Sequence, residues 1–179
     1  MLFCDRKYPL KKIMTMTKTH VIKDLKEKSI LVSREFNAPI KLVWKAFTES
    51  ELLEKWWAPQ PWRAETKSMS FTIGGFWLYA MVSPENEKHW GKMNYLAIDP
   101  YKSFDIKDEF CDEEGIVNPS FPVSNGRNLF TKTENGTLVE FKTTYENVED
   151  IHKLVEMGFE QGITMTFEHL ATLFEQNKI

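Results

Sequence analysis

Apolar residues recur every second position through the middle of the chain and every three to four positions near its C-terminus, and these two periods separate sheet from helix. The longest helical pattern runs from Asn147 to Gln176. At about 100° per residue, Phe159, Ile163, Phe167, Leu170 and Phe174 share one face, while Glu160, Thr164, Glu168, Ala171 and Glu175 fall opposite. Asn147 and Asp150 have the spacing of a shortened capping box, so orphan N–H groups find acceptors in the first turn. Gly158 divides a short leading helix from the long one. Gly162 and Thr166 fall inside the apolar arc, where Leu or Ile would pack better. The face therefore carries one missing side chain and one hydroxyl, and a sheet beneath it would enclose a cavity.

The rest of the chain supplies that sheet. Residues 1–18 are polar, basic and aperiodic and read as a poorly ordered tail, with Met1, Met14 and Met16 each usable as a translation start; residues 19–179 read as one domain. The run Val21 to Phe36 ends in a strand, with Ile30, Val32 and Arg34 opposing Leu31, Ser33 and Glu35. Asn37-Ala-Pro opens a short helix, Asn37 as its cap and Pro39 in its first turn, striped by Ile40, Val43, Trp44 and Phe47. Ser50 caps a second, with Leu52, Leu53 and Trp56 inward, and Ala58-Pro59-Gln60-Pro61 ends it. A meander follows: Arg63 to Phe71, a Gly74-Gly75 turn, Phe76 to Ser83, Trp90 to Ile98, and Lys102 to Phe110 after Pro100. Ile116 to Gly126 holds two prolines and no periodicity, so it reads as a long loop. Asn128 to Thr133 and Thr137 to Tyr145 form a hairpin through Asn135-Gly136. Without helices between the later strands the sheet is antiparallel, and the long helix covers its apolar face. The fold class is α+β, with about six or seven strands, two short helices and one long C-terminal helix.

Composition narrows the function. A chain of 179 residues with 42% hydrophobic and 27% charged positions can bury one core. Its net charge of -3 offers no basic field for nucleic acid. Cys4 and Cys111 sit in no metal spacing, His152 and His169 are too far apart for one ion, and Gly74-Gly75 lacks the lysine and following helix of a phosphate loop. The acidic turn Asp112-Glu-Glu-Gly115 reads as a solvated loop, since calcium loops need a more regular spacing. No metal and no cofactor are expected. Without an apolar run of about 18 residues or an uninterrupted signal-peptide core, the protein is expected to be soluble and cytoplasmic.

Several segments in order, FNAPIKLVWKAFTESELLEKWWAP, FTIGGFW, WGKMNYLAIDP, DEF and VEMGFEQGITMTFEHL, resemble the START-like, or SRPBCC, superfamily. Within it they are similar to the branch named for the activator of heat-shock-protein-90 ATPase. The resemblance spans about Lys18 to Gln176. It implies a helix-grip fold, a curved antiparallel sheet around the C-terminal helix, with an internal cavity that in many members takes an apolar or aromatic molecule. The scaffold also serves cochaperones, so membership alone does not choose a function. The eukaryotic activator has a separate N-terminal domain, for which this chain has no room.

Carrying the alternation across the sheet places Trp77, Tyr79, Met81, Met93, Tyr95, Phe104, Ile106 and Phe110 toward the helix, and the same parity places His89 and Asp108 there. Of Trp56-Trp57, the first reads as core and the second as half exposed at the cavity mouth. Phe121 in the long loop and Gly158, Gly162 and Thr166 on the helix complete the candidate ligand-binding set. An inward carboxylate costs free energy unless hydrogen-bonded, so Asp108 is either an anchor or base of raised pKa, or a strand-end residue meeting water or Arg63. His89, beside a turn, reads as a surface residue. Six Trp and thirteen Phe suit a cavity lining as well as an aromatic core. Two functions stay open. One is binding of a small apolar or aromatic molecule between sheet and helix, as carrier, sensor or enzyme. The other is a cochaperone-like module that acts on a chaperone or other protein partner through its surface. No convergent acid and base pair can be named, so the reading leans away from catalysis.

Overall fold

The alternating middle of the chain closes into a single antiparallel sheet. The computed structural model describes residues 18–179, so the expected tail, apart from Lys18, lies outside the described residues, as do Cys4 and the methionines at 1, 14 and 16. The strands are β1 (His20–Asp24), β2 (Ser29–Phe36), β3 (Arg63–Met69), β4 (Phe76–Val82), β5 (Lys88–Asp99), β6 (Ser103–Cys111), β7 (Ser124–Lys132) and β8 (Thr137–Tyr145). They lie in the order β1-β2-β8-β7-β6-β5-β4-β3. The helices are α1 (Ile40–Thr48), α2 (Ser50–Leu53), α3 (Val148–Glu156) and α4 (Phe159–Glu175). This is the helix-grip arrangement, with eight strands.

The additional strand is β1, a short hairpin partner of β2 with His20 opposite Ser33 and Asp24 opposite Ser29. Asp24 Oδ1 makes the turn by accepting the N–H groups of Lys26 and Glu27 at 3.0 and 2.9 Å. Because β1 flanks the long helix, it also changes the helix's outer side: Lys23 pairs with Glu160 at 2.8 Å, and Thr19 Oγ1 donates to Glu168 at 3.1 Å. Ala171, expected to face away, is 8% exposed. The contacts of α4 with β1 and β2 cover a wider arc than a lone sheet beneath it would.

Two other boundaries differ. The residue preceding α1 is Pro39 rather than Asn37, and no side chain caps that helix; Ser50 lies within α2, preceded by Glu49. The loop expected over Ile116 to Gly126 is shorter, because β7 begins at Ser124. Its first three inward positions are Ser124, Gly126 and Asn128, all buried and none hydrophobic, and only the fourth, Phe130, is apolar, so the start of the strand lacks the apolar alternation that would announce it. Gly126 must be small, since a Cβ there would lie 2.9 Å from both Ile106 and Phe141. A capping box joins Asn147 and Asp150, the Asn147 N–H reaching Asp150 Oδ2 at 3.2 Å. Gly158 breaks the helical pattern at φ 83°, a left-handed conformation that only glycine adopts without strain.

The core is aromatic and lies between the C-terminal half of α4, the short helices and the sheet. Phe36 meets Phe167 and Phe174 at ring separations of 5.8 and 5.6 Å, and Phe47 meets Trp56, Phe130 and Phe167 at 4.7, 5.4 and 6.0 Å. Each such fully buried side chain contributes about 1.5–3 kcal/mol relative to exposure. Most of these pairs are edge-to-face, the geometry that ring quadrupoles favour.

Candidate functional site

Toward the other end of α4 the packing stops and a cavity of about 290 Å³ opens between helix and sheet. Three features of the sequence make the space. Gly162 presents no side chain, and a Cβ built there has only Pro59 within 4 Å, at 3.9 Å. Thr166 is buried but short, and its hydroxyl is turned back to the Ile163 carbonyl at 2.9 Å. On the sheet, Gly91 stands opposite Tyr79, where a Cβ would approach the Tyr79 oxygen to 2.9 Å, so this glycine lets the phenol lie across β5.

The expected residues divide. Trp57, Tyr79, Met81, Asp108, Phe110, Gly158, Gly162 and Thr166 line the cavity. Trp77, Met93, Tyr95 and Phe104 face the same side of the sheet but stand in the packed core beside the cavity. The aromatic residues of α1, with Leu53 of α2 and Trp56 just after it, cover that half of the sheet: Trp44 stands over Phe104 at 5.8 Å, and a void of only about 10 Å³ remains among Phe47, Leu53, Trp77, Met93 and Phe104. Alternation assigns a face, but which part of the face stays uncovered depends on elements far away in sequence. Phe121 is not in the wall; its ring lies 5.0 Å from that of Phe110, and Lys153 stands 4.9 Å above it. His89 has the inward parity but lies exposed at the start of β5, with its ring 5.2 Å from Trp62.

Residues that the sequence reading did not place in the wall include Pro59, Pro122, Phe141, Thr143, Tyr145, Met157, Phe159 and Ile163. The signal for three of them was present. Phe141, Thr143 and Tyr145 alternate with the less buried Glu140, Lys142 and Thr144 along β8, the same period used for β4 to β6. Pro59, Pro122 and Gly158 come from three separate connections and all line the cavity.

Asp108 is the chemical centre of the site. On β6 it stands opposite Met93 of β5 and Ser124 of β7, and Ser124 stands opposite Tyr145 of β8. It does not meet Arg63, whose guanidinium donates to Glu65 at 2.8 Å. Asp108 is partly buried and lines the cavity. Removal from bulk water raises its pKa to about 7; the Glu109 N–H opposes that rise and the Glu109 charge adds to it. The charge of Asp108 is felt by three phenols. Burial, with Asp108 second, raises Tyr79 and Tyr95 above the usual phenol range. Tyr145 is raised to about 12, again mainly by burial, and donates to Thr143 Oγ1 at 3.0 Å.

The two adjacent tryptophans differ in their donors. Trp56 Nε1 donates to the Ala46 carbonyl at 2.9 Å and Trp77 Nε1 to Thr66 Oγ1 at 3.0 Å, whereas the buried Trp57 Nε1 has no hydrogen-bond partner among the described residues. It lies beside the Tyr79 oxygen, with ring centroids 6.0 Å apart. Among the described residues no lysine, arginine or histidine lines the cavity, and no three potential metal ligands come together.

The fold has close relatives in known structures. A crystal structure of a Mycobacterium smegmatis protein shares 30% identity over 87% of this chain and 95% of its own, with a TM-score of 0.80. A solution structure of an Arthrobacter aurescens protein shares 29% identity over 88% and 91%, with a TM-score of 0.83. A Silicibacter pomeroyi protein of the same family type, at 15% identity, 83% and 99% coverage and TM-score 0.66, shows the fold alone. None of the functionally curated proteins matches. Residues 37–175 match the family described as "Activator of Hsp90 ATPase homolog 1-like protein", and the chain belongs to that family.

Proposed function

We propose that this protein binds a small apolar or aromatic molecule in the cavity between the sheet and α4, as a carrier or sensor. One observation carries the reading: a space of about 290 Å³, near the lower end of known ligand pockets at roughly 300 Å³, persists inside an otherwise filled aromatic core. A cavity of this kind lowers stability through lost packing, and a ligand would restore those contacts. The wall contains Asp108 but no second group placed as its catalytic counterpart, which favours binding over turnover.

The family also includes, by its description, relatives of an Hsp90 ATPase activator, so the cochaperone-like reading is the outcome that a ligand test must separate. Amide shifts of the labelled protein are followed while a panel of apolar and aromatic compounds is added. Binding in the cavity is expected to move Trp57, Tyr79, Phe110 and Gly158 together. Shifts confined to the outer face of the sheet, or none with any compound, would overturn the cavity reading in favour of an interaction module.

A further inference from the structure

We propose that the polar end of this cavity receives the carbonyl oxygen of a neutral, apolar ketone of about bicyclic size, with the Tyr79 hydroxyl and the Asp108 carboxyl group as hydrogen-bond donors. The inference rests on the cavity being a ligand site and adds the chemical class of the ligand.

Charge comes first. No cationic side chain among the described residues lines the cavity, and its charge-bearing members are Asp108 and Glu109. An anionic head such as a fatty carboxylate would be desolvated with no partner and would face a carboxyl group, so anions are rejected. The apolar remainder, with Met81, Phe110, Phe141, Leu154 and Ile163, takes a hydrocarbon body. At about 30 Å³ per water-sized group, a cavity of about 290 Å³ holds about ten non-hydrogen atoms, the size of a fused two-ring compound.

Donor count decides the head group. Tyr79 makes no hydrogen bond of ordinary geometry among the described residues, although its phenol is 95% buried and borders the cavity. The indole N–H of Trp57 can only donate. Standing beside the Tyr79 oxygen without another partner, it leaves the Tyr79 O–H free to point into the cavity. Asp108 borders the same space, and its burial favours the protonated form, itself a donor, up to about neutral pH. The titratable groups coupled to Asp108 are Glu109 and Cys111 on its own strand and Tyr79, Tyr95 and Tyr145 across the sheet; burial raises the Cys111 thiol to about 11 and holds the three phenols above their usual range, so all four are neutral at that pH. The residues of α3 and α4 that line the cavity carry no titratable side chain. Two donors and no cation suit an uncharged acceptor oxygen. The same arrangement would hold a developing enolate oxygen, but a base to form it is not part of this proposal.

The test uses the full chain and four matched probes in calorimetric titrations at pH 5.5 and 8.5: 1-tetralone, tetralin, 1-naphthoate and 1-aminotetralin. At pH 5.5 tetralone is expected to bind about tenfold more tightly than tetralin, one good hydrogen bond's worth, and naphthoate not measurably. Tyr79→Phe is expected to remove most of that advantage, bringing the tetralone-to-tetralin affinity ratio measured in the same variant close to one. Tetralone binding to the wild type is expected to weaken severalfold at pH 8.5, whereas Asp108→Asn, whose amide still donates, keeps it pH-independent. Equal binding of tetralone and tetralin overturns the carbonyl assignment but leaves the cavity reading standing. Tightest binding by the amine shows Asp108 acting as a carboxylate, and tightest binding by naphthoate shows a cationic partner; either overturns the proposal. Binding by none of the four overturns the cavity reading itself.

Discussion

The two ends of α4 lie over the same sheet and behave in opposite ways. Its C-terminal half inserts Phe167, Leu170 and Phe174, all nearly inaccessible, into a nest of rings from β2, α1 and the segment after α2, namely Phe36, Phe47 and Trp56. Its N-terminal half offers Gly162, Thr166 and Ile163 to a cavity that no side chain fills. The backbone is the same and the period is the same. What differs is side-chain volume on the helix and the presence of α1 and α2 above one half of the sheet only. One part of the molecule is therefore built for stability, while the other gives up packing energy for an interior surface.

Substitutions that exchange these characters should produce unequal effects. The largest is expected at the filled end, where Phe167→Ala should lower unfolding free energy by about 3–5 kcal/mol, read from urea unfolding. A loss under about 1 kcal/mol would mean that the two ends are equally loose.

Next comes Asp108→Asn, which tests the cost of the open end. The folded-state pKa of Asp108 is raised to about 7 against an ordinary 3.8, so the unfolded chain loses this proton first. Below about pH 4 the group is neutral in both states and contributes no penalty. Stability then falls as pH rises to about 7, and above that the whole penalty is present. Each tenfold change in proton affinity is worth about 1.4 kcal/mol, so the variant should be more stable than wild type by about 2–4 kcal/mol at about pH 8 and indistinguishable at about pH 4. An unchanged denaturation midpoint at the higher pH would show that water reaches the carboxylate freely.

The smallest stability effect is expected for Gly162→Leu. A Cβ there has no neighbour nearer than 3.9 Å and glycine costs a helix interior about 1 kcal/mol, so stability should change by no more than about 1 kcal/mol. Binding of apolar probes should nevertheless disappear, because the new side chain occupies the space. Loss of more than about 3 kcal/mol would show instead that the helix and sheet close together at this point in solution.

Legibility followed the strength of the local pattern. The hairpin at Asn135-Gly136, the capping box at Asn147 and the break at Gly158 lie where local backbone chemistry leaves few choices. β1 was missed because a five-residue polar strand buries little, as its mostly exposed pattern shows, and is held by pairing with β2. The start of β7 was hidden because its inward residues are small or polar, a choice dictated by Ile106 and Phe141 on the neighbouring strands. Ala171 lies opposite the apolar stripe by helical period and is nevertheless buried, because α4 is covered over a wider arc than its own stripe marks.

For the cavity, the sequence alone determined which residues share the inner face, because strand and helix periods are properties of the backbone, and it marked Gly162 and Thr166 as undersized on the helix. It also placed Asp108 inward by parity. Only the tertiary structure decided that Trp77, Met93, Tyr95 and Phe104 are covered while Tyr79, Asp108 and Phe110 are not. That depends on where α1 and α2 land, more than twenty residues earlier in the chain than β4. It likewise decided that Trp56 finds an acceptor in Ala46 and Trp57 does not. Periodicity fixes direction from the backbone, but coverage and hydrogen-bond partners come from chain segments that meet only after folding.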